Sequence, residues 1–216
     1  MSAHNQKDRD GLELAEMLYT KAEDLSDAEE ARCLHLIKNG ANLEMREQES
    51  GGNTTPVILA AAYNRTKVLK ALLDHGALVD AKTKSEEDEA NENATALMIA
   101  ANIGCKESVE ILLAHGAYVD MCDANGTTAL MVAAEGGHVS TLQALIKAGA
   151  NTELTDNKGK NATDYTEDTD IKAAIDDAVQ QRIVKNFQNA ADAGTPKCRP
   201  IRRATRNTAP KPEPKP

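Results

Sequence analysis

The chain has no tryptophan, one phenylalanine (Phe187) and four tyrosines in 216 residues. A large aromatic-centred core is therefore excluded, and small and branched aliphatic side chains must do the packing, which suits thin layers of paired helices. Proline is nearly missing from the first 195 residues, where only Pro56 occurs; the other six stand at 196, 200, 210, 212, 214 and 216. Proline removes a backbone donor and breaks helix interiors, so its scarcity leaves residues 1–192 free to be helical. Its concentration at the other end predicts an extended, unpacked tail over 193–216. No apolar run approaches the roughly 20 residues of a membrane span. The opening Met1-Ser2-Ala3-His4-Asn5-Gln6-Lys7 is polar, unlike a signal peptide. Cysteines at 33, 105, 122 and 198 show no metal-like or redox-like spacing, so free thiols in a reducing cytoplasm are expected.

Charge is unevenly spread. Residues 193–216 carry seven Lys or Arg and one acid, Glu213, and this +6 leaves −15 on residues 1–192 within a total of −9. An acidic body is a poor ligand for nucleic acid, whose binding rests on Lys and Arg contacts to phosphate. The expected partner of the body is another protein, one with a basic patch, met by a monomer of this chain.

What the chain has in abundance is self-similarity. Thr95-Ala96-Leu97-Met98-Ile99-Ala100-Ala101 returns as Thr128-Ala129-Leu130-Met131-Val132-Ala133-Ala134 and, more loosely, as Thr55-Pro56-Val57-Ile58-Leu59-Ala60-Ala61. Each copy leads into an apolar stretch that ends at Gly76-Ala77, Gly116-Ala117 or Gly149-Ala150. A period of this size predicts stacked units, each too small to bury its apolar face alone. Within a unit, one helix opens at the Thr block and breaks at Asn64, Gly104 or Gly137. A second then carries its apolar residues at i, i+3, i+4 and i+7, as Val109, Leu112 and Leu113 do. An extended stretch such as Tyr118-Val119-Asp120-Met121 is expected to follow. Upstream, Ser26-Asp27-Ala28-Glu29 reads as a capping box opening a helix to Lys38, stopped at Asn39-Gly40. Leu12 to Ala22 supplies its partner helix. Asp170 to Ala190 reads as a terminal helix with one wet face, as a capping element needs.

These blocks resemble ankyrin repeats. Gly126-Thr127-Thr128-Ala129-Leu130-Met131-Val132-Ala133-Ala134, with Gly137-His138, Leu145-Ile146 and Gly149-Ala150-Asn151, follows that family's frame. The offset from Thr95 to Thr128 is 33 residues, and Asn161 stands in the Thr slot a further 33 on. From Thr55 to Thr95 the offset is 40, which places seven extra residues in that connection. The resemblance implies an all-α ankyrin-repeat solenoid of stacked antiparallel helix pairs with projecting finger loops. It implies about five units over 1–192, with the best repeats at about 53–155 and degenerate caps at both ends. The motif His that ties loops together in the family is replaced by Ile58, Met98 and Met131, so less rigid loops are expected. Gly159-Lys160-Asn161-Ala162-Thr163-Asp164-Tyr165 has lost most apolar positions and is expected to form a shortened cap.

Candidate chemistry is sparse. His75 and His115 share one repeat position before Gly, where the helix C-terminal dipole favours a cation; stacked helices about 8–10 Å apart hold them too far apart for one metal ion. His35 and His138 have no ligand partner at useful spacing. Cys105 is expected at an exposed turn and Cys122 in a loop, neither with an assignable base, so a thiol-dependent enzyme is the least favoured reading. No catalytic residue, cofactor site or metal site is expected.

Binding is the better expectation, at two places. The insertion Ser85–Asn93 carries five acids in nine residues; Glu86, Glu87, Asp88 and Glu89 project where finger loops lie, suited to steering a basic partner. Carrying over the family's contact positions gives Thr54, Ala62 and Tyr63, then Asn102 and Ile103, then Asn125, Thr127 and Glu135, and finally Lys158 and Lys160. Tyr63 and Ile103 are the candidate anchors. Two alternatives involve the tail: a targeting signal of a delivered effector, or a docking segment that autoinhibits a scaffold. Arg202-Arg203-Ala204-Thr205 also matches a basophilic kinase site, and a solubilising tail is the plain counter-reading.

Overall fold

A computed structural model describes residues 3–20, 25–46, 54–84 and 93–192, with side chains to Gln181. Contacts divide the chain into two compact units, Met1–Val179 and Gln180–Pro216. Among the described residues the helices are α1 (Ala3–Thr20), α2 (Asp27–Lys38), α3 (Pro56–Ala62), α4 (Thr66–Asp74), α5 (Ala96–Ile103), α6 (Lys106–Ala114), α7 (Ala129–Glu135), α8 (Val139–Lys147) and α9 (Thr169–Asp192). A 3-10 helix, Ala162–Tyr165, stands before α9.

The first helices α5 and α7 start where a side chain replaces a missing backbone partner. Thr95 and Thr128 accept from the N–H of Met98 and Met131, each at 3.4 Å. Ser26 and Glu29 form the full capping box of α2. Asn161, in the Thr slot, caps the 3-10 helix with Asp164 in the same reciprocal way. The breaks after α3, α5 and α7 fall at the left-handed residues Asn64, Gly104 and Gly137. Gly104 is doubly required: its φ is +79°, and a Cβ there would meet the His138 ring at 2.5 Å.

The pairs α1–α2, α3–α4, α5–α6 and α7–α8 then stack in two rows. First helices pack in the series α1, α3, α5, α7 and the 3-10 helix; second helices pack as α2, α4, α6, α8. Leu14, Ile37, Leu69, Leu72, Leu97, Leu112, Leu130, Leu142 and Leu145 are fully buried between the rows. Ile58, Met98 and Met131, where the family motif has His, lie in this same core. Ile171 and Ile175 of α9 are buried, whereas Gln180 and Gln181 are exposed.

Three details differ from the sequence reading, the first being that α1 opens at Ala3 rather than near Leu12. The stretch after Ala117 is not continuously extended, because Val119 and Asp120 form a turn. Cys105 is not at an exposed position: it is half-buried at the N-cap of α6. The acidic insertion residues Glu86, Glu87, Asp88 and Glu89, and the tail 193–216, lie outside the described residues.

Candidate protein-binding groove

Two finger loops are built on the same device. Asp123 Oδ1 accepts from the N–H groups of Asn125 and Thr127, both at 2.8 Å. Asp156 Oδ1 accepts from those of Lys158 at 2.8 Å and Lys160 at 2.7 Å. Both aspartates stand seven residues after the Gly that ends the preceding helix turn, Gly116 or Gly149. In the earlier unit the same slot holds Thr83, whose hydroxyl accepts from Ala94 N–H at 2.9 Å. With Thr83 N–H to Ala94 O at 2.9 Å, this closes the base from which residues 85–92 depart.

The loops are also fastened to each other. Asn157 N–H donates to Asn125 O at 2.9 Å, and its side-chain amide donates to Ala124 O at 3.0 Å. Tyr165 donates its hydroxyl proton to Asp156 Oδ2 at 2.6 Å. That bond, with burial second, pushes the Tyr165 phenol up to about 12, so it stays a donor at neutral pH. The same bond, the largest influence on the carboxyl, holds Asp156 below the usual carboxylate range. Lys160 Nζ lies 5.8 Å from the Tyr165 ring centre, within cation–π range.

Between these loops and the faces of α5 and α7 runs a groove of about 670 Å³. Met98, Ile99 and Val132 give it an apolar floor, and Asn102, Asn125, Thr127, Glu135 and Lys158 give it a polar rim. Ile103 projects at its edge, 44 % exposed. The end of α5 is held by His138, whose Nε2–H donates to Asn102 O at 2.8 Å. The groove thus pairs a small apolar floor with a largely polar lining, several of whose groups are fixed by loop hydrogen bonds.

Six residues chosen from sequence meet here: Asn102, Ile103, Asn125, Thr127, Glu135 and Lys158. Thr54 is half-buried ahead of α3, and Ala62 and Tyr63 are half-buried at its end, all outside the groove lining. Tyr63 packs against the core. Lys160 is exposed beside the lining. Sequence reasoning missed Asp123, Asp156, Asn157 and Tyr165; the recurrence of Asp seven residues past Gly was the available signal for the first two.

The other polar candidates have structural partners. His75 Nδ1 bonds Ala71 O at 2.8 Å, closing its own helix end. His115 does the same with Ile111 O at 2.8 Å and also reaches Asp74 Oδ1 at 3.0 Å through Nε2. Both ring nitrogens of His115 therefore face acceptors, and the Asp74 bond is the first cause of its raised pKa. Burial pushes the Cys33 thiol up to about 11, and burial, then the Glu107 charge, raises Cys105. Neither suits a nucleophile, which needs a lowered pKa. Among the described residues no three His, Cys, Asp or Glu side chains converge as metal ligands would. No helix among them is long and apolar enough to cross a membrane.

Two rows of stacked helix pairs with braced loops define an all-α repeat solenoid. The family model described as Ankyrin repeats (3 copies) matches residues 18–121 and 79–156. The chain belongs to the ankyrin-repeat family, whose members are generally protein–protein interaction modules. No curated protein matches the sequence.

Proposed function

We propose that this chain is a monomeric, non-enzymatic interaction module of the cytoplasm that holds a folded protein partner in the groove between α5, α7 and their finger loops. The observation that carries the reading is the convergence of six contact positions on one braced groove with an apolar floor. Ile103 anchors the partner by its exposed side chain. Glu135, on the groove rim, attracts a basic group of the partner. Thr54, ahead of α3, and Tyr63, at its end, add contacts on the preceding unit. Glu86, Glu87, Asp88 and Glu89 add charge that speeds association with a basic patch. The body carries −15, which supports a protein partner over nucleic acid.

The test is an affinity capture of partners by the full chain, with Ile103→Asp and Glu135→Lys made separately. Loss of one and the same captured protein from both variants, with unchanged helical circular dichroism, is the expected result. Retention of every captured protein by both would sink the groove reading.

A further inference from the structure

Outside the groove, Leu78 and Tyr118 are 61 % and 73 % exposed, more than any other large hydrophobic side chain described. Single exposed apolar residues need no explanation. These two, however, share one register: each is the second residue after the left-handed Gly that ends a second helix, Gly76 and Gly116. The flanking units show what that register is for. Asn42, after Gly40, accepts from Glu44 N–H at 3.1 Å, and Asn151, after Gly149, accepts from Glu153 N–H at 3.2 Å. Each Asn closes its own turn. Leu and Tyr cannot, so the two central units give up a turn bond and expose an apolar side chain instead.

Charge changes in the same two units. The outer helices α2 and α8 end in Lys38 and Lys147, whereas α4 and α6 end in Asp74 and Ala114. A run of carboxylates threads the patch. Glu44 accepts from Leu78 N–H at 2.9 Å, Asp80 from Tyr118 N–H at 3.2 Å, and Asp120 from Asn151 N–H at 2.8 Å. Along the stack the order is thus carboxylate, Leu78, carboxylate, Tyr118, carboxylate.

We infer that Leu78 and Tyr118 form a second docking surface for a basic amphipathic helix of another protein. Such a helix places two apolar residues on the patch and Lys or Arg beside Glu44, Asp80 and Asp120. Neighbouring helix layers repeat at about 8–10 Å, which on a helix rising 1.5 Å per residue is about five to seven residues; the nearest spacing that returns to the same face is seven residues, two turns. The motif it reads is therefore an apolar residue at i and i+7 with basic residues around them. A second copy of this chain is disfavoured because each copy brings −15 on residues 1–192. An anionic membrane is disfavoured by the same carboxylates.

A display library of helix-forming peptides is panned against the full chain, and enriched peptides are measured by fluorescence anisotropy. The variants are Leu78→Asn with Tyr118→Asn, the residues of the outer units, and Ile103→Asp in the groove. We expect a peptide class with the i, i+7 basic motif that binds the double variant at least about tenfold more weakly and Ile103→Asp equally well. Failure of any enriched peptide to distinguish wild type from the double variant overturns the inference. A lowered thermal midpoint in the double variant also overturns it, because it returns both side chains to packing; an unchanged or raised midpoint supports surface roles. Sedimentation equilibrium showing a dimer that the double variant loses, or flotation on phosphatidylserine vesicles that it loses, assigns the patch to the rejected occupants.

Discussion

His115 shows how much one side chain can do in a repeat protein. Its ring closes the end of α6 on Ile111 O and reaches back to Asp74 at the end of α4, itself bonded to Lys70 at 2.7 Å. Two acceptors favour the imidazolium, and its pKa is raised above the ordinary 6.5, the Asp74 bond being the first cause. Asp74 is lowered, first by His115 and next by Lys70. For a raised histidine, the stabilisation is full below the unfolded pKa and is lost as pH rises through the folded one. His115→Gln is therefore expected to lower the thermal midpoint at pH below 6.5, with the difference from wild type shrinking as pH rises above it. A midpoint difference that is flat across that range would show that the pair contributes nothing linked to His115 ionisation.

At the scale of elements, the three Thr slots are not equivalent. Thr95 and Thr128 make side-chain caps, whereas Thr55 makes none and leaves a buried hydroxyl without a partner. Pro56 at the first position of α3 has no N–H to satisfy and presets the helical φ, which explains how that helix starts without a cap. Thr128→Val should cost about 0.5–1 kcal/mol, the low end for a lost N-cap given its 3.4 Å bond. Thr55→Val should be neutral or stabilising, since it removes an unsatisfied buried polar atom. Urea denaturation of the two variants decides, and equal losses would mean that the Thr slots act through packing rather than capping.

At the scale of the whole stack, coupling between units runs through the core and through the carboxylates Glu44, Asp80 and Asp120, each bonded to the next unit's backbone. Repeat proteins behave as intrinsic unit stabilities plus nearest-neighbour terms. Asp80→Ala with Asp120→Ala removes two of those neighbour terms while leaving the helices intact. The expected outcome is a lower urea midpoint with a shallower transition, because end units begin to unfold separately. A parallel shift at unchanged slope would instead mean that core contacts alone carry the cooperativity. A further tie joins the loop before α7 to the loop before the 3-10 helix, from Asn157 to Asn125 O and Ala124 O.

Much of this was legible in the residues alone. Helix starts, the Gly and Asn breaks, the paired-helix unit and the terminal cap follow from local chemistry: Thr95, Thr128 and Asn161 cap the N–H three residues on, and Gly104 and Gly137 take the left-handed turn. Six residues of the groove lining were named from the family's contact positions: Asn102, Ile103 and Glu135 at first-helix ends, and Asn125, Thr127 and Lys158 in the loops. The rest depended on what the fold brings together from far along the chain. Sequence cannot show that Tyr165 turns onto Asp156, that Asn157 binds the loop 33 residues earlier, or that Cys105 is half-buried against its neighbours. It also hides which surface apolar residues stay uncovered, since Leu78 and Tyr118 sit in the same apolar-rich stretch as buried Ala77 and half-buried Val79 and Val119. Periodicity determined the unit; only the stacking of one unit on the next decided the groove, its bracing and the exposed patch, because those are properties of neighbours in space.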